Sequence, residues 1–150
     1  EKMDPWVQPI YQNFYTLYGK EKMQKYLDGG QIEIVPVSFM RGRTFLDSIV
    51  IVDEAQNVTH EQMEMISTRI GLRSKMIVCG DDHQVDLRSK ADSGFRFLYA
   101  AARKIKNMTG ITLNKNHRDP IVDDLIVVYE EAEERGIFKG TSGSSGRSRK

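Results

Sequence analysis

Apolar positions along the chain fall into two kinds of spacing. Within residues 6–19, Ile10, Phe14 and Leu17 recur at i, i+4 and i+7, which places them on one face of a helix with Gly19 as its stop. Tyr11, Tyr15 and Tyr18 form a second stripe, suited either to stacking on bases or to packing on a neighbouring helix or subunit. Residues 20–28 predict a short second helix closed by Gly29-Gly30, and the alternation from Gln31 to Val37 predicts a strand ended by Pro36. Ile49 to Val52 is a continuous β-branched run, the mark of a strand buried on both faces. Thr59 and Gln62 make a capping-box pair ahead of Met63, Ile66 and Ile70, with Gly71 as the predicted helix end. A second buried strand is expected over Lys75–Gly80, with the Cys79 thiol packed inside it. Asp92 or Ser93 opens a helix whose inward face is Phe95, Leu98, Ala102 and Ile105. Ile111 to Leu113 predicts a short strand, and Pro120 starts a last helix with Ile121, Leu125, Val128 and Ala132 as its buried stripe.

Strands and helices alternate in this reading, so the fold class is α/β, a parallel sheet flanked by helices. Three predicted strands each end in a polar cluster: Asp53-Glu54-Ala55-Gln56, then Gly80-Asp81-Asp82-His83-Gln84, then Asn116-His117-Arg118. The carboxyl ends of parallel strands are where open α/β sheets bind ligands. Of the two successive carboxylates at such an end, Asp53 and Glu54, one can hold Mg²⁺ while its neighbour addresses a water molecule. The plainer reading makes Asp53 a helix cap and Glu54 a solvated side chain. Arg41-Gly42-Arg43 forms a doubly charged loop, fit either to grip phosphate oxygens or to lie as a solvated turn with ion-paired arginines.

Composition narrows the classes. The net charge of +1 is uneven, because residues 137–150 contribute +4 and leave −3 on residues 1–136, so a nucleic-acid-binding surface has to be local. Residues 137–150 read as a flexible Gly/Ser-rich basic tail after a domain over 1–136. One cysteine rules out an internal disulfide and suits a reducing, cytoplasmic setting; no stretch reads as a membrane span. His60, His83 and His117 lack metal-site spacing and are expected in surface or hydrogen-bonding roles.

The order of the three clusters resembles motifs II, III and IV of superfamily 1 helicases, and Asp53-Glu54-Ala55-Gln56 resembles a Walker B motif. A longer resemblance is to the PhoH family, carried by Phe39-Met40-Arg41-Gly42-Arg43-Thr44 and Ile51-Val52-Asp53-Glu54-Ala55-Gln56-Asn57. It continues through Glu61-Gln62-Met63, Thr68-Arg69-Ile70-Gly71, Ser74-Lys75-Met76 and Gln84-Val85-Asp86-Leu87, and covers about residues 3–135. The ending Asn116-His117-Arg118-Asp119-Pro120-Ile121-Val122 is most similar to the phage-like branch.

The resemblance implies a RecA-like P-loop ATPase that binds ATP and Mg²⁺. Asp53 would be the metal ligand, Glu54 the residue polarising water, Gln84 the γ-phosphate sensor and Arg118 the arginine neutralising phosphoryl charge. Asp53, Gln56 and Asp81 would be cofactor-binding, and Arg41 and Arg43 would touch nucleic acid or another subunit. It further implies RNA or single-stranded nucleic acid as partner, a ring-forming homo-oligomer, and the phosphate-starvation association of the family name. The chain departs from the pattern in one respect: no Gly-x-x-x-x-Gly-Lys-Ser/Thr loop occurs in it. The expectation is therefore the carboxyl-terminal part of an ATPase domain, its sheet incomplete on the N-terminal side and the piece alone inactive. The competing expectation is a catalytically inactive module serving binding or oligomerisation. A weaker third is a Mg²⁺-dependent nuclease using Asp53, Glu54 and Asp81.

Overall fold

The computed structural model describes residues 7–115 and 117–137, apart from the Glu133 side chain. Its helices are α1 (Gln8–Tyr18), α2 (Lys20–Asp28), α3 (His60–Ser67), α4 (Gly94–Ala101) and α5 (Ile121–Glu134), and its strands are β1 (Ile49–Val52) and β2 (Lys75–Val78). The strands pair in parallel as a two-stranded sheet. The chain divides into two compact units, Glu1–Val50 with Glu64–Ile77, and Ile51–Met63 with Val78–Lys150.

In the first unit, α1 and α2 form a helical hairpin joined at Gly19. Tyr18 meets Tyr26 edge-on with ring centroids 5.6 Å apart, and the Lys22 ammonium lies 5.6 and 5.7 Å from the two ring centres. That contact gives part of the tyrosine stripe a packing role within the chain. Met23, Met40 and Ile66 are buried here. Ahead of the sheet, Phe45 bridges in parallel to Ile70, and the Ser74 hydroxyl donates to Phe45 O while accepting from the Ser48 amide. Gly71 does not end α3, which stops at Ser67. Its amide donates to Phe45 O at 2.8 Å, and a Cβ on it would come within 2.6 Å of that oxygen. Close backbone approach is what requires glycine there.

In the second unit, Val52, Ala55, Val58, Met63 and Ala102 are buried. The capping box forms as read: the Thr59 amide donates to Gln62 Oε1 at 3.1 Å, and the Gln62 amide to Thr59 Oγ1 at 3.4 Å. Ser93 precedes α4 at its cap position. His60 hydrogen-bonds Ala91 O and meets Phe97 edge-on.

Several expectations are corrected. Gln31–Val37 forms no strand: the Gln31 and Ile32 amides bond back to Tyr26 O, Val37 opens a 3₁₀ turn, and Pro36 lacks an amide hydrogen to offer. Ile111–Leu113 is likewise no strand, and both isoleucine and leucine are exposed. β1 is not covered on both faces: Ile49 and Ile51 are 72% and 61% exposed, while Val52 is buried. Cys79 is exposed rather than packed. Ile105 lies outside α4 and is exposed. The last helix forms, but Ile121, Leu125 and Val128 of its expected buried stripe are exposed. Residues 138–150, and so nearly all of the predicted tail, lie outside the described residues. No helix among the described residues is long and apolar enough to cross a membrane.

Candidate functional site at the strand ends

β1 delivers Asp53 and Glu54, and β2 delivers Asp81, because the backbone pairing holds beyond the strands themselves. The Cys79 amide donates to Val52 O at 2.8 Å and the Ala55 amide to Cys79 O at 2.9 Å. Chain direction then changes abruptly. Glu54 adopts left-handed backbone angles, φ 51° and ψ 37°, and starts a short 3₁₀ turn over Ala55–Asn57. A non-glycine residue in this region is uncommon and concentrates where function fixes the geometry. The Glu54 amide also bonds Asp53 Oδ1 at 3.1 Å.

Gln56 gathers the site. It is 1% exposed, and its carboxamide is fully engaged. Nε2 donates to Glu54 Oε2 at 2.6 Å and to Gln84 O at 3.2 Å, while Oε1 accepts from the Asp81 amide at 3.0 Å. Gly80 lies against it: a Cβ there would stand 3.0 Å from both the amide nitrogen and Oε1 of Gln56, and 3.1 Å from the Phe95 ring. The polar atoms of Gln56, which the resemblance implies to be cofactor-binding, face protein groups.

The Asp81–Gln84 turn is held by its own carboxylate. Asp81 Oδ1 accepts from the His83 amide at 2.9 Å and Oδ2 from Gln84 Nε2 at 2.7 Å, and the Gln84 amide donates to Asp81 O at 3.1 Å. The His83 amide above all holds the Asp81 carboxyl below the usual range, against the opposing effect of burial and with a lesser contribution from the Gln84 side chain. Asn57 Oδ1 accepts from the Asp86 amide at 2.7 Å, fixing the exit of the same turn. Asn57, and Asp82, which is ion-paired with Arg96 at 3.3 Å, stand in the sequence motifs but were given no role there. Their polar side chains next to Gln56 and Asp81 were the available signal.

The remaining predicted residues are placed as follows. Asp53 and Glu54 are exposed, and Asp53 Oδ2 is turned to no partner among the described residues. Arg118 is exposed on the segment leading into α5, and the bonds that gather Glu54, Gln56, Asp81 and Gln84 do not include it. Arg41 and Arg43 belong to the first unit, where the Arg43 amide closes a turn onto Met40 O. Arg43 is bound in two-pronged fashion to Glu33, at 2.7 and 3.0 Å. That bond holds the Glu33 carboxyl below its ordinary range. Arg41 is exposed, with no partner among the described residues.

The donor set suits one hard cation only in part. Among the described residues no three His, Cys, Asp or Glu side chains cluster to cage a metal. The open carboxylate oxygen of Asp53, Oδ2, matches the way Mg²⁺ is held by one or two carboxylates with substrate phosphates and water completing its shell.

A family model described as PhoH-like protein matches residues 1–130. The chain belongs to the PhoH-like protein family. The PhoH-like protein of Synechocystis sp. is 38% identical over 135 residues, covering 89% of this chain and 41% of the relative. That of Bacillus subtilis is 38% identical over 133 residues, 87% of this chain and 42% of the relative. Protein PhoH of Escherichia coli K12 is 45% identical over 96 residues, 63% of this chain and 27% of that protein. This PhoH-like chain therefore spans about two-fifths of the Synechocystis and Bacillus relatives.

Proposed function

We propose that the chain carries the water-activating and phosphate-sensing half of a RecA-like PhoH ATPase site, acting in a larger protein on RNA or other single-stranded nucleic acid. The observation that supports this reading best is the Gln56-centred network, which brings Glu54, Asp81 and Gln84 together at the carboxyl ends of two parallel strands. A solvated cap would need none of that organisation.

In this reading Glu54 is the general base. Its Oε2 is pinned by Gln56, which leaves Oε1 to orient a water molecule and take its proton. Asp53 Oδ2 is the oxygen that would hold Mg²⁺, which when bound neutralises charge on the phosphate oxygens. Gln84 presents a carboxamide whose orientation is set by Asp81, as a sensor of the terminal phosphate must. Arg118 offers a guanidinium for phosphoryl charge, and Arg41 an open cation for a nucleic-acid phosphate. The ATP-binding loop that supplies backbone amides to a triphosphate does not occur in these 150 residues, so the nucleotide's cradle belongs to another part of the site.

The test is Mg-ATP hydrolysis by the full-length protein carrying Glu54→Gln. Hydrolysis is expected to fall by ~10²–10⁴, with ATP binding retained. Unchanged turnover removes Glu54 from the chemistry.

A further inference from the structure

We propose that Gln56 is a positioning residue that couples Glu54 to the Asp81–Gln84 turn, so that a change at the Glu54 carboxylate is transmitted to the Gln84 side chain. The inference deepens the hydrolytic reading and rests on it for the roles of Glu54 and Gln84. The physical link stands on geometry alone.

Glu54 and Gln84 are thirty positions apart, yet a short unbroken chain of hydrogen bonds joins their side chains. It runs from Glu54 Oε2 to the Gln56 carboxamide at 2.6 Å, from that carboxamide to the Asp81 amide at 3.0 Å and Gln84 O at 3.2 Å, and from Asp81 Oδ2 to Gln84 Nε2 at 2.7 Å. Glutamine is the residue such a link needs. The two N–H donors of its amide serve two acceptors while its oxygen serves a donor. Glutamate lacks the donors, methionine has neither group, and asparagine is one methylene short.

Burial makes the link stiff. With Gln56 1% exposed, no water replaces a partner that leaves. If Glu54 swings toward another ligand, one Nε2 donor is left unsatisfied in a buried place, which is costly. The amide then reorients, and reorientation alters the bonds to Asp81 and Gln84. Gly80 allows little lateral slack, since the backbone of β2's end runs against the same carboxamide. Two neighbouring restraints localise the response: the left-handed backbone of Glu54 fixes one end, and the Asp86–Asn57 bond fixes the exit of the turn at the other.

Backbone and side-chain amide resonances of the 150-residue chain test the proposal without nucleotide. Glu54→Ala removes the acceptor at one end. The expected result is a shift of the Asp81 backbone amide and the Gln84 carboxamide, with about fivefold faster exchange of the Asp81 amide hydrogen as its bond loosens. In a Gln56→Leu background the same Glu54→Ala change is expected to leave Asp81 and Gln84 unmoved. A merely structural Gln56 would lower stability in Gln56→Leu but would not carry a signal from Glu54. Shifts confined to residues 53–57 overturn the proposal, as does transmission that persists in Gln56→Leu. Should Gln56→Leu fail to fold, the Glu54→Ala comparison in the native background decides by itself. Because no ATP is present, the link can hold while the hydrolysis assay fails, or the reverse.

Discussion

Asp47 and Arg73 share two properties: each is a non-glycine residue with left-handed φ, 50° and 54°, and each is the other's ion-pair partner. They occupy equivalent places, Asp47 two residues before β1 and Arg73 two residues before β2. Both carboxylate oxygens of Asp47 accept from the guanidinium, and the Asp47 amide donates to Leu72 O at 3.1 Å. Two sparsely populated backbone conformations are thus tied together where two parallel strands begin.

The pair has a pH signature. The hydrogen bond from Arg73 holds the Asp47 carboxyl below its ordinary value. A lowered folded-state value means the contribution is fully present above the unfolded value, about 4 for aspartate, and is lost as pH falls through the folded value. Thermal melts of the native chain and Asp47→Asn should therefore differ by a constant amount at neutral pH and converge below about pH 4. Both side chains are exposed, so the difference should also shrink in high salt. A gap that stays constant down to pH 2 would assign the effect to backbone strain instead.

Gly71 is predicted to resist substitution. Alanine would place its Cβ 2.6 Å from Phe45 O and 2.7 Å from Leu46 Cδ2. Overpacking of this kind costs about 1–3 kcal/mol, and the obstacle here includes backbone. Denaturant midpoints would report the loss. A neutral Gly71→Ala would mean that the Phe45–Gly71 approach relaxes freely.

Nucleic-acid binding should depend on Arg41 more than on Arg43. Arg43 has its guanidinium committed to Glu33 on two nitrogens, whereas Arg41 has no partner among the described residues. Arg41→Ala should lower the log–log salt slope for a single-stranded oligonucleotide by about 0.7, one phosphate contact. Arg43→Ala should leave the slope nearly unchanged. Equal effects from both would mean that the Glu33 pair opens on binding.

The 150-residue chain by itself should bind Mg-ATP negligibly. Asp53 offers Mg²⁺ one open oxygen, and Mg²⁺ dehydrates reluctantly unless phosphates complete its shell. Calorimetric titration checks this; low-micromolar binding would reveal a phosphate cradle elsewhere among these residues.

What was legible in the sequence was local. Thr59 and Gln62 announce their capping box because both partners lie within one helical turn. The runs at Ile49–Val52 and Lys75–Val78 declare themselves as strands because β-branched residues favour that backbone. A strand is defined by its partner, however, and neither Gln31–Val37 nor Ile111–Leu113 carries information about one. The apolar runs likewise record a preference for cover without saying what covers them, which is why Ile49, Ile51 and the α5 stripe were misread as buried. At the site, Asp53, Glu54, Asp81 and Gln84 were visible as polar clusters after apolar runs. The task of Gln56 was not, since it depends on Gly80, Asp81 and Gln84 arriving from a distant part of the chain.

Cys79, the sole cysteine of the chain, is exposed at the end of β2, and its backbone bonds both Val52 and Ala55 beside Asp53 and Glu54. Desolvation, reinforced by the Asp53 charge, pushes its thiol above the ordinary range. Alkylation should accordingly be slow at neutral pH and quicken in mild alkali, as the thiolate fraction grows. The 150-residue chain thus comes with a single native anchor for a spin label or fluorophore, beside the strand end that carries Asp53 and Glu54. Motion of the strand ends can be followed through that dye without engineering a foreign residue into the sheet.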